Sequence, residues 1–93
     1  MFSRELRDAV ARGEITVTIR RWDRPQVKVG GRYRTAGVVI RVDVMEVMPF
    51  SGVTYEDVRA SGETDLEALR DRAAHSGPIH DDTLVYRIEF HVV

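Results

Sequence analysis

Apolar and polar residues alternate with period two over three stretches of the chain. In Ile15–Trp22, Ile15, Val17 and Ile19 point one way, and Thr16, Thr18, Arg20 and Trp22 the other. This predicts a strand over about Ile15–Arg21 that buries one face and lines up two hydroxyls, a guanidinium and an indole on the other. Val38–Met48 is the longest β-type run. Val38, Ile40, Val42, Val44 and Glu46 alternate against Val39, Arg41, Asp43, Met45 and Val47, so both faces are partly apolar and both expect cover. Leu84–Val93 reads as a closing strand with Leu84, Tyr86, Ile88, Phe90 and Val92 on its core face. Val27 and Val29 flank Lys28, and Arg32-Tyr33-Arg34 makes a further short strand, ended by Ala36-Gly37.

Helical spacing fills the gaps. Leu6, Ala9 and Val10 share a face with Phe2 one turn earlier, which predicts a helix capped by Ser3, running to about Arg12 and stopped by Gly13. Thr54-Tyr55-Glu56-Asp57 has the form of a capping box, with the helix ending near Gly62. A second box at Thr64-Asp65-Leu66-Glu67 opens a helix that carries Leu66, Leu69 and Ala73 and ends before Gly77-Pro78. Pro25 and the Gly30-Gly31 pair mark loops. The whole reads as a single α+β domain over residues 1–93. It has an N-terminal helix, a helical insertion at about 54–75 before the last strand, and short strands expected to curl into a small β-barrel that hides their edges.

Composition narrows the function. Ninety-three residues, 43% of them apolar, support one small core. The absence of cysteine excludes a disulfide framework and a thiolate site. No apolar run approaches the ~18 residues of a membrane helix, and Met1–Glu5 has no secretory character, so a cytoplasmic protein without a membrane partner is expected. A monomer or weak dimer is expected as well. The net charge of −1 argues against a general nucleic-acid coat protein. The charge is nevertheless segregated. Arg20, Arg21, Arg24, Lys28, Arg32 and Arg34 face a single acid, Asp23, within Arg20–Arg34, while ten acids face three arginines between Asp43 and Asp82. A basic segment in a neutral chain can make a local phosphate site.

Thr18, Arg20 and Trp22 are the leading candidates for ligand contact: a hydroxyl for a carbonyl, a fork for a phosphate or base edge, and a ring for stacking. The same row is also compatible with a solvated strand face and a Trp22 packed over its end. Lys28, Arg32 and Arg34 bracket the double glycine, whose amides can approach an anion, although a glycine hairpin needs no ligand. His75 and His80 with Asp81 and Asp82 match no metal-ligand spacing, so neither a metal nor another cofactor is expected. Glu89 and His91, two apart on one strand, are an acid–base candidate. Tyr55, at a helix start, is a cleft candidate. No Ser-His-Asp spacing, GxGxxG or GK[ST] motif is present.

The order of these pieces resembles the ASCH domain. The helix is followed by Gly13, Thr18 and Arg20 on a strand, then Lys28-Val29-Gly30 before Arg32-Tyr33-Arg34, an insertion from Val53-Thr54 to Gly62, and Tyr86-Arg87-Ile88-Glu89-Phe90 at the end. The resemblance covers nearly the whole chain. It implies a β-barrel like that of pseudouridine synthases and archaeosine transglycosylases, and handling of RNA or modified nucleosides. The cleft would lie between strand 15–22 and the insertion, where Ser61 and Glu63 would contact the ligand. Some small bacterial ASCH proteins are amidohydrolases of N4-acetylcytidine. They use the Lys and Thr of a Gly-x-Lys-x-x-Thr-x-Arg motif and a Glu in the insertion. Here Thr18 matches, Ile15 stands at the lysine, and Ser61 falls at the glutamate, with Glu63 two residues on. A threonine hydroxyl unaided is too weak an acid to attack an amide. The expectation is therefore a module that binds single-stranded RNA or a nucleoside. A hydrolase or ribonuclease with Thr18 and Glu63 as catalytic residues is the alternative, and the choice between enzyme and binder is open at this point.

Overall fold

The computed structural model describes residue 2, residues 4–74 and residues 77–93; the expected Ser3 cap and His75 fall outside that set. Helix α1, Arg4–Ala11, ends where Gly13 takes a φ of +78°. That turn lets the Gly13 N–H reach Val10 O at 3.0 Å and the Glu14 N–H reach Ala9 O at 2.9 Å. Both bonds satisfy carbonyls that a helix end leaves open.

Four strands follow among the described residues: β1 Val17–Arg20, β2 Arg32–Thr35, β3 Val38–Pro49 and β4 Leu84–Val92. They form one antiparallel sheet in the order β1-β4-β3-β2. β2 and β3 join through Ala36 and Gly37, both at positive φ (53° and 78°), the backbone that a two-residue hairpin requires. β1 is shorter than the alternation predicts, so Trp22 lies beyond it. The sheet is also open, with β1 and β2 as its two edges, where the sequence led us to expect a closed barrel. The β1 edge is covered instead by the insertion, whose Ala60 carbonyl accepts from the Thr16 N–H at 3.0 Å. A short edge strand backed by helices has little need of closure.

The insertion holds α2, Tyr55–Ala60, and α3, Leu66–Ala73. The Thr54–Asp57 capping box is present in both directions, each bond 3.1 Å. The second box is not. Asp65 caps α3 by accepting from the Ala68 N–H at 2.8 Å, and alanine at that third position has no side chain to return the bond.

The two faces of the sheet are buried at different ends. On one face, Val17, Ile19 and Val85 pack against Phe50, Val58 of α2, Leu69 and Ala73 of α3, and Ile79. On the other, Phe2 and Val10 of the α1 segment meet Ile15, Ile40 and Phe90. This split corrects the simple alternation of β4. Val85 is buried, Leu84 is 61% exposed and Tyr86 is half-buried, because α1 covers only the Phe90 end of its face. None of these helices is long and apolar enough to cross a membrane.

Gly62 and Arg87 add to the contacts that tie the insertion to the rest. Gly62 has a φ of +85°, and a Cβ there would lie 2.6 Å from Ile15 Cδ1. Arg87 of β4 joins three carboxylates: Asp57 of α2 at 2.9 Å, Glu46 at 3.0 Å and Glu89 at 3.3 Å. Burial works against the Arg87 cation. Its hydrogen bonds to Glu89 and Asp57, with the charges of both, outweigh that and hold its pKa above the ordinary guanidinium value.

Gly62→Ala should lower stability by about 2–3 kcal/mol, from backbone strain and overlap with Ile15. In urea titrations the Gly62→Ala/Ile15→Val pair should lose less than the sum of the single changes, because valine lacks the overlapping atom; strict additivity would contradict the contact. Arg87→Met should cost about 2–4 kcal/mol by the same measurement, since it leaves the buried Asp57 carboxylate without its partner. A loss below half a kcal/mol would show that the pair has no structural weight.

Candidate functional site

A cleft of about 280 Å³ opens at the outer edge of β1. Phe2 and Leu6 line it from the α1 side, Thr18 and Arg20 from the strand, and Ser61, Glu63 and Arg72 from the insertion. Its size is just below the ~300–1,000 Å³ usual for small-molecule sites. Thr18 was expected on the cleft side of the strand, with a solvated strand face as the alternative. It is only 6% exposed, because the insertion and Phe2 close over the strand edge.

The polar groups in the cleft have defined roles. Arg20 Nε donates to Thr18 Oγ1 at 3.0 Å, which engages the threonine oxygen and leaves its proton to donate. Ser61 caps the end of α2, and its Oγ donates to Val58 O at 2.7 Å. With its one proton engaged, that oxygen can only accept from a ligand. The cleft thus offers a donor and an acceptor on opposite walls, with the Arg20 guanidinium lying 5.4 Å from the Phe2 ring centroid.

Arg72 is the residue that the sequence reading missed. It stands three positions after Leu69 on the side of α3 that turns toward β1, and that spacing was its one available signal. Arg72 Nε donates to both Glu63 oxygens, at 2.7 and 3.0 Å, and Nη2 reaches Glu5 of α1 at 3.2 Å. The chain Glu5–Arg72–Glu63 therefore links the helices on either side of the cleft. The Glu63 hydrogen bond, with smaller contributions from Glu5, holds the Arg72 pKa above its ordinary value. Arg20 is shifted the other way, first by burial and then by repulsion from Arg72.

A second hollow of about 420 Å³ adjoins the cleft and shares Arg20 and Ala73 with it. The Arg21–Arg24 loop and Gln26 form its other walls. The half-buried Trp22 ring lies 5.8 Å from the Tyr86 ring, at 43°.

The remaining candidates lie elsewhere. Arg32 and Arg34 are exposed on β2, at the opposite edge of the sheet, and Lys28 is in the loop before it. The double glycine does not offer its amides to an anion. Gly30 N–H donates to Val42 O at 2.8 Å and Gly31 N–H to Lys28 O at 3.0 Å. Gly31 is needed because a Cβ would fall 2.5 Å from the Tyr33 hydroxyl. Tyr55 is 69% exposed and lines neither cavity. His91 Nδ1 sits 2.7 Å from Asp43, while Glu89 pairs with Arg87, so each of these two has a partner other than its neighbour on the strand. His80 is exposed, and among the described residues no group of histidines and carboxylates is arranged to hold a metal ion. Ile15, at the lysine position of the amidohydrolase motif, is 2% exposed and packed into the core beneath α1.

No family model matches the sequence, and no curated protein is significantly similar to it. Solved structures are similar in fold. The ASCH domain from Lactobacillus crispatus JV V101 superposes with a TM-score of 0.73 at 19% identity, over 95% of this chain and 70% of that one. A protein of the DUF984 family from Enterococcus faecalis V583 superposes with a TM-score of 0.71 at 21% identity, over 96% of this chain and 67% of that one. Both match the small α+β fold with its four-stranded antiparallel sheet, and the chain has the ASCH-domain fold.

Proposed function

We propose that the cleft at the β1 edge binds a nucleoside unit of RNA, free or within a strand. One observation carries this reading. Thr18 and Arg20 of the strand and Ser61 and Glu63 of the insertion, more than forty residues apart in sequence, line one small cavity. A base edge presents carbonyls and amino groups side by side. Thr18 has a proton to give and Ser61 an oxygen to offer, so the two walls match such an edge. The Arg20 guanidinium, held over Phe2 in the cleft wall, suits a ligand with negative charge beside the base, as a nucleotide phosphate has. The ASCH fold adds the expectation of RNA or modified-nucleoside handling.

Hydrolysis is the weaker reading of the cleft. It asks Thr18 to attack and Glu63 to take its proton. Both Glu63 oxygens accept from Arg72, and Thr18 is hydrogen-bonded to Arg20. Ile15 lies in the core, where an ammonium would lose its hydration.

Thr18→Val keeps the shape of the side chain and removes its hydroxyl, so calorimetry with cytidine should show affinity lower by about fivefold to tenfold, the weight of one hydrogen bond. Arg20→Ala should weaken octacytidylate binding and flatten its dependence on salt by about 0.7 in log–log slope, one phosphate contact on a single strand. Wild-type affinity in both variants, with folding intact by circular dichroism, would contradict the cleft as the binding site.

A further inference from the structure

Beyond the cleft, the face of the sheet that carries Arg20 is only half covered. Cross-strand register places Arg20 opposite Tyr86, and Tyr86 opposite Val47. Phe2 and Val10 close this face over Phe90 and Ile40. At the other end, Val47 is 54% exposed and Leu84 61% exposed. Tyr86 lies half-buried between them, with the Trp22 ring tilted against it. An aromatic pair on an open sheet, with apolar neighbours, is a surface on which a flat ring can stack.

The charge around it is one-sided. The second hollow, which shares Trp22 with this platform and Arg20 with the cleft, is bordered by Arg20, Arg21 and Arg24 against one carboxylate, Asp23. The chain as a whole carries a net charge of −1, so this concentration is local. Neither the aromatic pair nor the Arg21–Arg24 loop lines the cleft itself. A strand of linked nucleotides carries rings and phosphates in alternation, which is the sequence of features that the surface presents.

We propose that the ligand is a single-stranded polynucleotide of at least two nucleotides. One base sits in the cleft, the intervening phosphate crosses at Arg20 into the arginine-lined hollow, and the next base stacks on Trp22 and Tyr86. This rests on the cleft reading and extends it. It makes the protein a reader of a strand rather than of a free nucleoside, and it gives Trp22 and Arg24 roles distinct from those of Thr18 and Ser61.

Calorimetric titration with cytidine, the dinucleotide CpC and octacytidylate tests it, with fluorescence of Trp22, the chain's one tryptophan, recorded alongside. CpC should bind about tenfold or more tighter than cytidine, a gain within the range for one stacked base. It should also quench Trp22, which cytidine leaves unchanged. Trp22→Ala and the exposed-loop change Arg24→Glu should each lower the ratio of octamer to cytidine affinity at least about fivefold, and Trp22→Phe should restore most of it. Arg24→Glu keeps the test informative if Trp22→Ala fails to fold. Equal affinities for cytidine and CpC, with the ratio unmoved in Arg24→Glu, would overturn the extended site and leave the cleft standing. Binding to none of the three probes would overturn the cleft reading, and this proposal with it.

Discussion

The arrangement depends on how the insertion covers the outer edge of β1. An uncovered edge strand carries unpaired amides and carbonyls and invites pairing with another chain. Here the Ala60 carbonyl takes the Thr16 amide, and Gly62 turns back with a backbone that only glycine adopts freely, so that Ile15 lies directly against it. The chain is thereby fixed between α2 and α3 just where Ser61 and Glu63 must face Thr18. The cleft is what remains open between this cover and α1. Its existence follows from edge protection, and its chemistry from the few polar residues caught along the seam.

Those polar residues are held by neighbours rather than left mobile. Arg87 reaches Asp57, the same residue that closes the capping box of α2, so the helix start is tied to β4 as well as to Thr54. Glu5, Arg72 and Glu63 link α1 to α3 across the cleft. Side chains locked by such contacts lose little further freedom when a ligand enters, which favours binding by a small site. The same locking weakens the case for hydrolysis, because Glu63 is engaged with a guanidinium.

Local patterns reached some of this and not the rest. The glycine stop of α1, the first capping box and the extents of the long strands follow from side-chain period and turn chemistry, and these were legible in the sequence. The covering of Thr18 was not. Alternation tells which residues share a face but not what a distant segment lays over it: the resemblance put Thr18 in a cleft against the insertion, while the period by itself fitted a solvated face equally well. Leu84 and Val85 show the converse: their faces were separated correctly, but which face is buried changes along β4 as α1 gives way to the insertion. The expected barrel assumed that edges are hidden by closure, whereas here helices hide the β1 edge. Arg72 carried only a helical spacing from Leu69, a signal shared by many surface arginines. The double glycine looked like an anion cradle because sequence cannot show that its amides already have carbonyl partners.

The most direct test of the account is an amide and methyl NMR titration of the protein with octacytidylate. The account predicts that the largest shifts fall on Thr18, Ile19, Ser61 and Leu69 around the cleft and continue to the Trp22 indole, with Arg32 and Arg34 on the far edge unaffected. Shifts concentrated on β2 and the Lys28 loop, with the Thr18 and Ser61 signals unmoved, would contradict it.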